Sequence, residues 1–453
     1  MNVVFKHCAV VIIEWSLHNI FKVGNFLIIE MIDIKLVREH PELFQKNYKR
    51  MKKPDLLKKL NSLVEKDKHL RTMKGELDTL RSQRNVLSQQ VNELRKAGKN
   101  ADAVLKKVKK LPEQIKAKEE EYATVETEVT VLLRTLPNLI HDKVPYGVSD
   151  KDNVEIKKWG TLPKFDFAVK NHVELLEALG AADFEASART TGHGFYFLKG
   201  DFALLNQALI RFALDYMISK GYSYVEPPLL LRQEVLTAAL DIAAFQQSIY
   251  KVDQEDHCLI GTSEHSLLGM HADTVIQGLP RKYFSYTMCF RKEIGAHGIN
   301  EKGLWRTHQF NKVEQFIFCS KEDSWKFYDE LLQNTEDIFQ QLELPYRIVE
   351  MCTGDLASWK ARSADIEVWR PTTKSYGEVA SLSNCTDYQA RNLNIRYETK
   401  EGKEAVHTLN NTALATSRAL VAIAENFQQK DGSIKIPKVL WKYMNGKTVI
   451  SKS

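Results

Sequence analysis

The chain has 453 residues, two to three times the usual size of one domain. Hydrophobic residues make up 43% and charged residues 27%, with 21 Gly and 12 Pro, which excludes wholesale disorder, collagen-like repeats and a polytopic membrane protein. The formal charge of +6 is too small on so long a chain to name a partner, so the placement of charge matters more than its sum.

At the N-terminus, Cys8–Ile13 is apolar, but Glu14 ends the run, and His18 and Lys22 interrupt the next stretch. A spanning helix needs about 20 apolar residues, and a secretory h-region needs a longer unbroken stretch with a small-residue cleavage site. Residues 1–30 are therefore read as an extension or an over-long start assignment, with Met31 as the working start. The six cysteines (8, 258, 289, 319, 352, 385) form no C-x-x-C pair. They are expected to be reduced, mostly buried thiols of a cytoplasmic protein.

From Leu56 the apolar positions follow heptads. Leu56, Leu63, Leu70, Leu77 and Val91 form one row, and Met73, Leu80, Leu87 and Leu94 a second. The pattern recurs in Val108, Ile115, Tyr122, Val129 and Leu136 beside Val104, Leu111, Val125 and Leu132. Such 3-4 spacing makes a narrow coiled-coil seam. Ala97-Gly98-Lys99-Asn100 between the runs supplies turn residues, so the two helices are expected to fold back as an antiparallel hairpin over about 56–136 with its tip at about 97–100. Pro112 is placed to kink the second helix.

The outer half of this hairpin is basic. Arg81, Arg84, Arg95, Lys96, Lys99, Lys106, Lys107, Lys109, Lys110, Lys116 and Lys118 stand against Glu93, Asp102 and Glu113, while Glu119-Glu120-Glu121 lie nearer the base. A solvated coil usually mixes its signs. A one-signed rod suits phosphate backbones, with a structural or partner-binding coiled coil as the other reading of the arm alone.

Pro137, Pro145, Gly147, Gly160 and Pro163 punctuate a heptad-free stretch, read as a linker over 141–162 between an arm of residues 31–140 and a globular domain of 163–453. In that domain Ala203–Ser219 reads as a helix and Tyr224–Arg232, with Pro227-Pro228, as extended chain. Lys282–Phe290 and Gln309–Cys319 read as a strand pair around a loop marked by Gly295, Gly298 and Gly303. Neither G-x-G-x-x-G nor G-x-x-x-x-G-K-[ST] occurs, so a nucleotide would have to bind on an antiparallel sheet through side chains. Arg291, Glu293, Phe310 and Glu314 share the predicted hairpin: an arginine fork for phosphate, an aromatic face for a purine, and carboxylates. Glu378 and Ser381 are hard oxygen donors suited to Mg²⁺. Arg418 enters the apolar helix Ala419–Phe427, where capping is the plainer reading and anion contact the functional one.

Phe290-Arg291-x-Glu293 followed by Arg306-x-His308-Gln309-Phe310 resembles motif 2 of the class II aminoacyl-tRNA synthetases. Ala413 to Arg418 resembles motif 3, and Gly221-Tyr222 with Val225 and Pro227-Pro228 resembles motif 1. Thr262-Ser263-Glu264 is similar to the T-x-E loop, and Glu378-Val379-Ala380-Ser381 with Asn384 to the E-[VI]-S-S-x-S-N segment, with Ala380 where a serine is common. In this order, behind a long helical hairpin, they resemble the seryl-tRNA synthetase family of the standard non-zinc type. The resemblance implies an α+β fold, a class II antiparallel sheet flanked by helices and preceded by the coiled-coil hairpin.

It also implies a two-step reaction: serine and ATP give seryl-adenylate, and the seryl group passes to the 3′ end of tRNA(Ser), or also tRNA(Sec). Arg291 and Arg418 would be catalytic, on the α- and γ-phosphates. Glu293 would meet the adenine amino group and Phe310 its face, with Thr307, His308, Gln309, Val379 and Ala380 also at the ATP site. Glu378 and Ser381 would hold Mg²⁺. Thr262, Glu264, Arg291 and Glu314 would hold serine, completed by Thr412 and Asn410. Arg81, Arg84, Arg95, Lys96, Lys99, Lys106, Lys107, Lys109 and Lys110 would contact tRNA, and Pro228 would lie at a homodimer interface. The rival readings are an inactive or carrier-protein-directed homologue, and an RNA-binding coiled-coil protein.

Overall fold

The structure, a computed structural model, describes residues 32–240, 246–294 and 302–452. The extension at 1–30, Met31, Cys8 and the loop glycines Gly295 and Gly298 lie outside those residues. In chain order the principal helices are α1 (Ile34–Glu39), α2 (Pro41–Arg50), α3 (Pro54–Lys96), α4 (Asp102–Thr135), α5 (His172–Ala178), α6 (Gly200–Ser219), α7 (Ser263–Gly269), α8 (Ser324–Gln341) and α9 (Thr416–Asn426). The principal strands are β1 (Val154–Trp159), β2 (Ser223–Tyr224), β3 (Arg281–Phe290), β4 (Gln309–Cys319), β5 (Tyr346–Glu350), β6 (Arg362–Arg370), β7 (Ser375–Thr386) and β8 (His407–Ala415). No helix among the described residues is long and apolar enough to cross a membrane.

The chain divides into two compact units, one of Met1–Pro41 with Asp55–Leu136 and one of Glu42–Pro54 with Pro137–Ser453. In the first unit, α3 runs for 43 residues, a rod of about 65 Å at 1.5 Å per residue. Its seam buries Leu63, Met73, Leu77 and Val91, and that of α4 buries Leu111, Ile115 and Val129. Leu77, Leu111 and Ile115 pack as one cluster with Leu80, Leu87 and Tyr122 at its edge. The turn between the helices works as its residues dictate. Gly98 sits at φ +67°, and the Lys99 N–H reaches back to the Leu94 carbonyl at 2.9 Å, closing α3 with a left-handed residue. Asn100 contributes its side chain instead, accepting the Asp102 N–H at 2.7 Å. α4 continues unbroken through Pro112.

In the second unit, α2 packs with the chain after Pro137, the Tyr48 hydroxyl donating to the Pro137 carbonyl at 2.9 Å. The core is an eight-stranded sheet in the order β1-β5-β6-β7-β8-β4-β3-β2, antiparallel except for the short β2 beside β3. Alternation along β4 decides which face does what. Val313 and Ile317 join the large core that includes Leu205 and Phe212 of α6, Leu331 and Ile338 of α8, and Leu420 and Ile423 of α9. Each such fully buried side chain contributes roughly 1.5–3 kcal/mol. Phe316 and Phe318 pack on the other face with Leu267 and Leu268 of α7. That second face, beyond Phe316, also carries Phe310, Lys312 and Glu314. The five cysteines in the described residues are buried and free.

Candidate active site

The floor of the site comes from strand periodicity and register. Phe310, Lys312 and Glu314 share one face of β4. Thr412 of β8 stands opposite Glu314, and Ser383 of β7 opposite Asn410. With Arg291 just past β3 and Arg418 in the first turn of α9, they line a cavity of about 560 Å³. That volume lies inside the ~300–1,000 Å³ range of small-molecule sites.

At the deep end, Glu314 has no exposed surface. One carboxylate oxygen accepts from Asn410 Nδ2 at 3.1 Å; the other accepts from the Thr412 hydroxyl at 3.1 Å and pairs with Lys312 Nζ at 2.7 Å. Lys312 also donates to the Thr262 hydroxyl at 2.6 Å. An unpaired buried carboxylate costs several kcal/mol, so the lysine is what allows a charge here. Glu264, also buried, has a different environment: its carboxylate accepts from Gln389 Nε2 at 2.7 Å. Burial, then the charge of Glu314, pulls its pKa up. Among the described residues no cation is hydrogen-bonded to Glu264, so its carboxylate is a candidate partner for a substrate ammonium. Burial, followed by Lys312 and Arg291, holds the neighbouring His265 down to about 3, so that imidazole is neutral.

Toward the mouth, Arg291 Nε donates to the Gly261 carbonyl at 3.1 Å while its guanidinium lies 5.3 Å from the Phe310 ring centre. Glu293, at φ +51°, receives Arg306 at 2.7 Å. Arg418 donates to the Glu378 carbonyl at 2.7 Å, pairs with its carboxylate at 3.2 Å, and donates through Nε to the Trp305 carbonyl at 3.3 Å. Two guanidinium groups and an aromatic face thus converge on one opening, the equipment for a phosphate and a flat ring.

The donor set fits a hard cation. Glu378 and Ser381 both line the cavity, and Asp365 of β6 lies opposite Ser381. Burial and then Glu378 push the Asp365 carboxyl up, and its Oδ1 is buried without a hydrogen-bond partner. Glu378 is exposed at the mouth, and Arg418 holds its carboxylate below the usual range, keeping it ionised. Two carboxyl groups of which only one ionises freely are the arrangement a divalent cation would relieve. Mg²⁺ ordinarily takes only one or two carboxylates from the protein, the rest of its shell being water and phosphate oxygens.

Of the residues singled out from the sequence, Thr262, Glu264, Arg291, Glu293, Thr307, Phe310, Glu314, Glu378, Val379, Ala380, Ser381, Asn410, Thr412 and Arg418 line this cavity. His308 and Gln309 do not. The His308 imidazole donates to the Arg291 carbonyl at 2.9 Å and lies 5.3 Å from Phe195, bracing the backbone instead. Gln309 reaches Met288 Sδ at 3.4 Å, on the face opposite Phe310. Pro228 is exposed, its carbonyl accepting from Ser266 at 3.0 Å. On the arm, Arg84, Arg95, Lys96, Lys99, Lys106, Lys107, Lys109 and Lys110 are exposed, whereas Arg81 is paired with Glu119 at 2.7 Å. Sequence reasoning missed Lys312, His265, Trp305 and Lys360, all on the cavity wall. Only Lys312 carried a signal, as a charge inside an apolar strand two residues before Glu314.

Comparison with known proteins gives one answer along most of the chain. Residues 31–140 match the family described as seryl-tRNA synthetase N-terminal domain. Residues 250–427 match the tRNA synthetase class II core domain (G, H, P, S and T). The serine–tRNA ligase of Methanocella arvoryzae is 46% identical over 421 residues, covering 92% of this chain and 99% of that protein. The chain belongs to the seryl-tRNA synthetase family. Among solved structures of this family, that of Pyrococcus horikoshii complexed with ATP superposes with a TM-score of 0.87 at 41% identity, covering 93% of this chain and 100% of that one. The cytoplasmic serine–tRNA ligase of Naegleria fowleri, in complex with AMP, gives 0.83 at 30% identity, covering 94% and 99%. A match running through both family domains does not favour the inactive, carrier-directed or coiled-coil-only readings.

Proposed function

We propose that this chain activates L-serine with ATP, releasing diphosphate, and transfers the serine to the 3′ end of tRNA(Ser). The observation that carries the reading is the polar floor: Glu314 bonded to Asn410, Thr412 and Lys312, beneath two arginines that converge on the same cavity.

In the first step the serine carboxylate attacks the α-phosphorus, and the bond to the β-phosphate oxygen breaks. Little covalent work is required of the protein, so positioning and charge neutralisation supply most of the catalysis. Arg291 would take the α-phosphate and Arg418 the γ-phosphate, with adenine against Phe310 and its amino group at Glu293. Mg²⁺, held by Glu378 and Ser381, would add Lewis-acid neutralisation of phosphate charge. Thr262, Glu264, Glu314, Asn410 and Thr412 would orient serine. In the second step a terminal ribose hydroxyl of tRNA attacks the acyl carbonyl and AMP leaves. A site built to hydrogen-bond a hydroxyl can reject the analogue lacking it by roughly 10⁴-fold, which supports discrimination against alanine.

The arm, residues 31–140, would grip the tRNA by shape and backbone charge, and residues 163–453 would form the catalytic domain. The enzyme would act in the cytoplasm as a homodimer, with Pro228 at the interface, and tRNA(Sec) would be a further acceptor. Charging total tRNA with each amino acid in turn tests the central reading. Serine alone should be esterified, and esterification of another amino acid, or of none, overturns it. Light scattering of the purified chain tests the dimer, and a purified tRNA(Sec) transcript tests the second acceptor.

A further inference from the structure

Lys312 is 6% exposed, lines the substrate cavity, and makes two short polar contacts there. Those contacts use up lone pairs. The Thr262 oxygen accepts from Lys312 Nζ at 2.6 Å and from the Glu264 backbone N–H at 3.3 Å. A hydroxyl has two acceptor sites and one donor, so both acceptor sites are filled and only the O–H remains for a substrate. On Glu314, the oxygen facing Lys312 also takes the Thr412 hydroxyl, and is likewise filled. Among the described residues the other oxygen accepts only from Asn410, which leaves one site for a substrate. Thr412, having donated its proton to Glu314, can only accept.

We infer that Lys312 is a specificity-determining positioning residue, which fixes Thr262 as a donor and holds Glu314 in place as an acceptor so that the pocket selects a group able both to give and to take a hydrogen bond. A primary hydroxyl meets that demand in one atom. A methyl group meets neither half, leaving the Thr262 donor and the Glu314 acceptor unpaired, and a thiol meets both weakly. The ammonium, which only donates, is left to the acceptors, including the carboxylate of Glu264, whose partner Gln389 carries no charge. The inference rests on the serine-activating reading and adds to it a reason for the choice of amino acid.

The test is serine-dependent ATP–pyrophosphate exchange by the full chain, wild type against Lys312→Met and Lys312→Gln, with KM for serine and ATP, kcat, and the serine-to-alanine preference in kcat/KM. Lys312→Met removes the donor and the charge at similar length. It should raise KM for serine by roughly a hundredfold and cut the serine-to-alanine preference at least tenfold, with KM for ATP within about twofold. Lys312→Gln keeps a donor without the charge and should recover part of the preference. An unchanged preference in either folded variant overturns the inference. So does a matched rise in both KM values with a lower melting temperature, the outcome of a purely structural lysine. Should Lys312→Met fail to fold, the preference of Lys312→Gln decides. Absence of serine-dependent exchange in the wild type would instead overturn the functional reading beneath it.

Discussion

His172 Nδ1 lies 3.1 Å from a carboxylate oxygen of Glu425, and Nε2 of the same ring accepts the Leu304 backbone N–H at 3.1 Å. A nitrogen that accepts carries no proton, so the ring proton is on Nδ1 and is donated to Glu425. The same carboxylate receives Arg370 at 2.9 and 3.2 Å and Thr372 at 2.7 Å. Arg370 in turn lies 4.3 Å from the Trp305 ring centre. Through these bonds a buried carboxylate on α9 fixes Leu304 and Trp305, the returning end of the loop between β3 and β4 that walls the cavity.

That carboxylate should govern acid stability. Burial alone would raise its pKa, but the bonds from His172 and Arg370 dominate and bring it from 4.5 to about 2. A depressed folded pKa means stability that is complete above the unfolded value and is lost as pH falls through the folded one. The window therefore runs from about pH 5 to about pH 2, and the contribution above it is about 3 kcal/mol. In urea melts, Glu425→Gln should be destabilised by that order at neutral pH, with the difference from wild type shrinking as pH drops across the window. A constant difference would show that the ionised state is not what stabilises the fold.

The arm leads to a second expectation. Removing about Arg81–Lys118 should abolish tRNA charging while leaving serine-dependent pyrophosphate exchange near normal; failure of both would mean the arm serves folding. Within the arm, the exposed Lys106, Lys107, Lys109 and Lys110 should matter more than Arg81, whose charge is already met by Glu119 at 2.7 Å. Every lysine that grips a phosphate should, once neutralised, reduce the slope of log affinity for tRNA against log salt by about 0.7–0.9. Neutralising the lysines one at a time and titrating salt measures this.

The coil was legible because a seam repeats, although the rows give the buried set only in part: Leu63, Met73, Leu77 and Val91 are buried, Leu56, Leu70 and Leu80 are half-buried, and Leu60 and Leu133, outside the rows, are buried. The residues on and around β3, β4 and β8 were legible through the order of motifs that the family resemblance rests on, and strand alternation explains why Phe310 and Glu314 share one surface. Gln309 is one residue from Phe310 and so faces away from the cavity. His308 precedes the regular strand, where the period gives no guidance. The His172–Glu425–Arg370 network could not be read at all. Its members lie up to 253 residues apart, and the packing of α5 and β6 against α9 brings them together. Lys312 was readable in principle: a lysine in a strand otherwise buried has to meet an anion, and Glu314 two residues on was the nearest candidate.

A third expectation concerns the cation. Glu378 is kept ionised by Arg418, while the nearby Asp365 carboxyl is pushed up by burial and by Glu378. Chelation with EDTA should abolish exchange, and added Mg²⁺ should restore it. Glu378→Gln should raise the Mg²⁺ concentration needed for half-maximal exchange at least tenfold, and Ser381→Ala by less, because a neutral hydroxyl contributes less to a hard cation than a carboxylate. An unchanged Mg²⁺ requirement in Glu378→Gln would remove that residue from the metal site.

Glu314 should decide serine use. Glu314→Ala would leave Lys312 buried without its anion, so lost activity there would mix with lost stability. Glu314→Gln keeps the shape, but its amide must set an NH₂ group against Lys312 or Asn410, both of which donate. Truncating a buried, hydrogen-bonded charge pair costs about 2–5 kcal/mol, so kcat/KM for serine should fall by roughly 30- to 5,000-fold. Arg291, Phe310 and Arg418 lie beyond Glu314's hydrogen bonds, and KM for ATP should therefore stay within about twofold. Steady-state exchange kinetics with each substrate varied in turn measures both. If serine use survives the substitution while ATP use declines, Glu314 belongs to the nucleotide end of the cavity and the assignment of the floor to the amino acid is wrong.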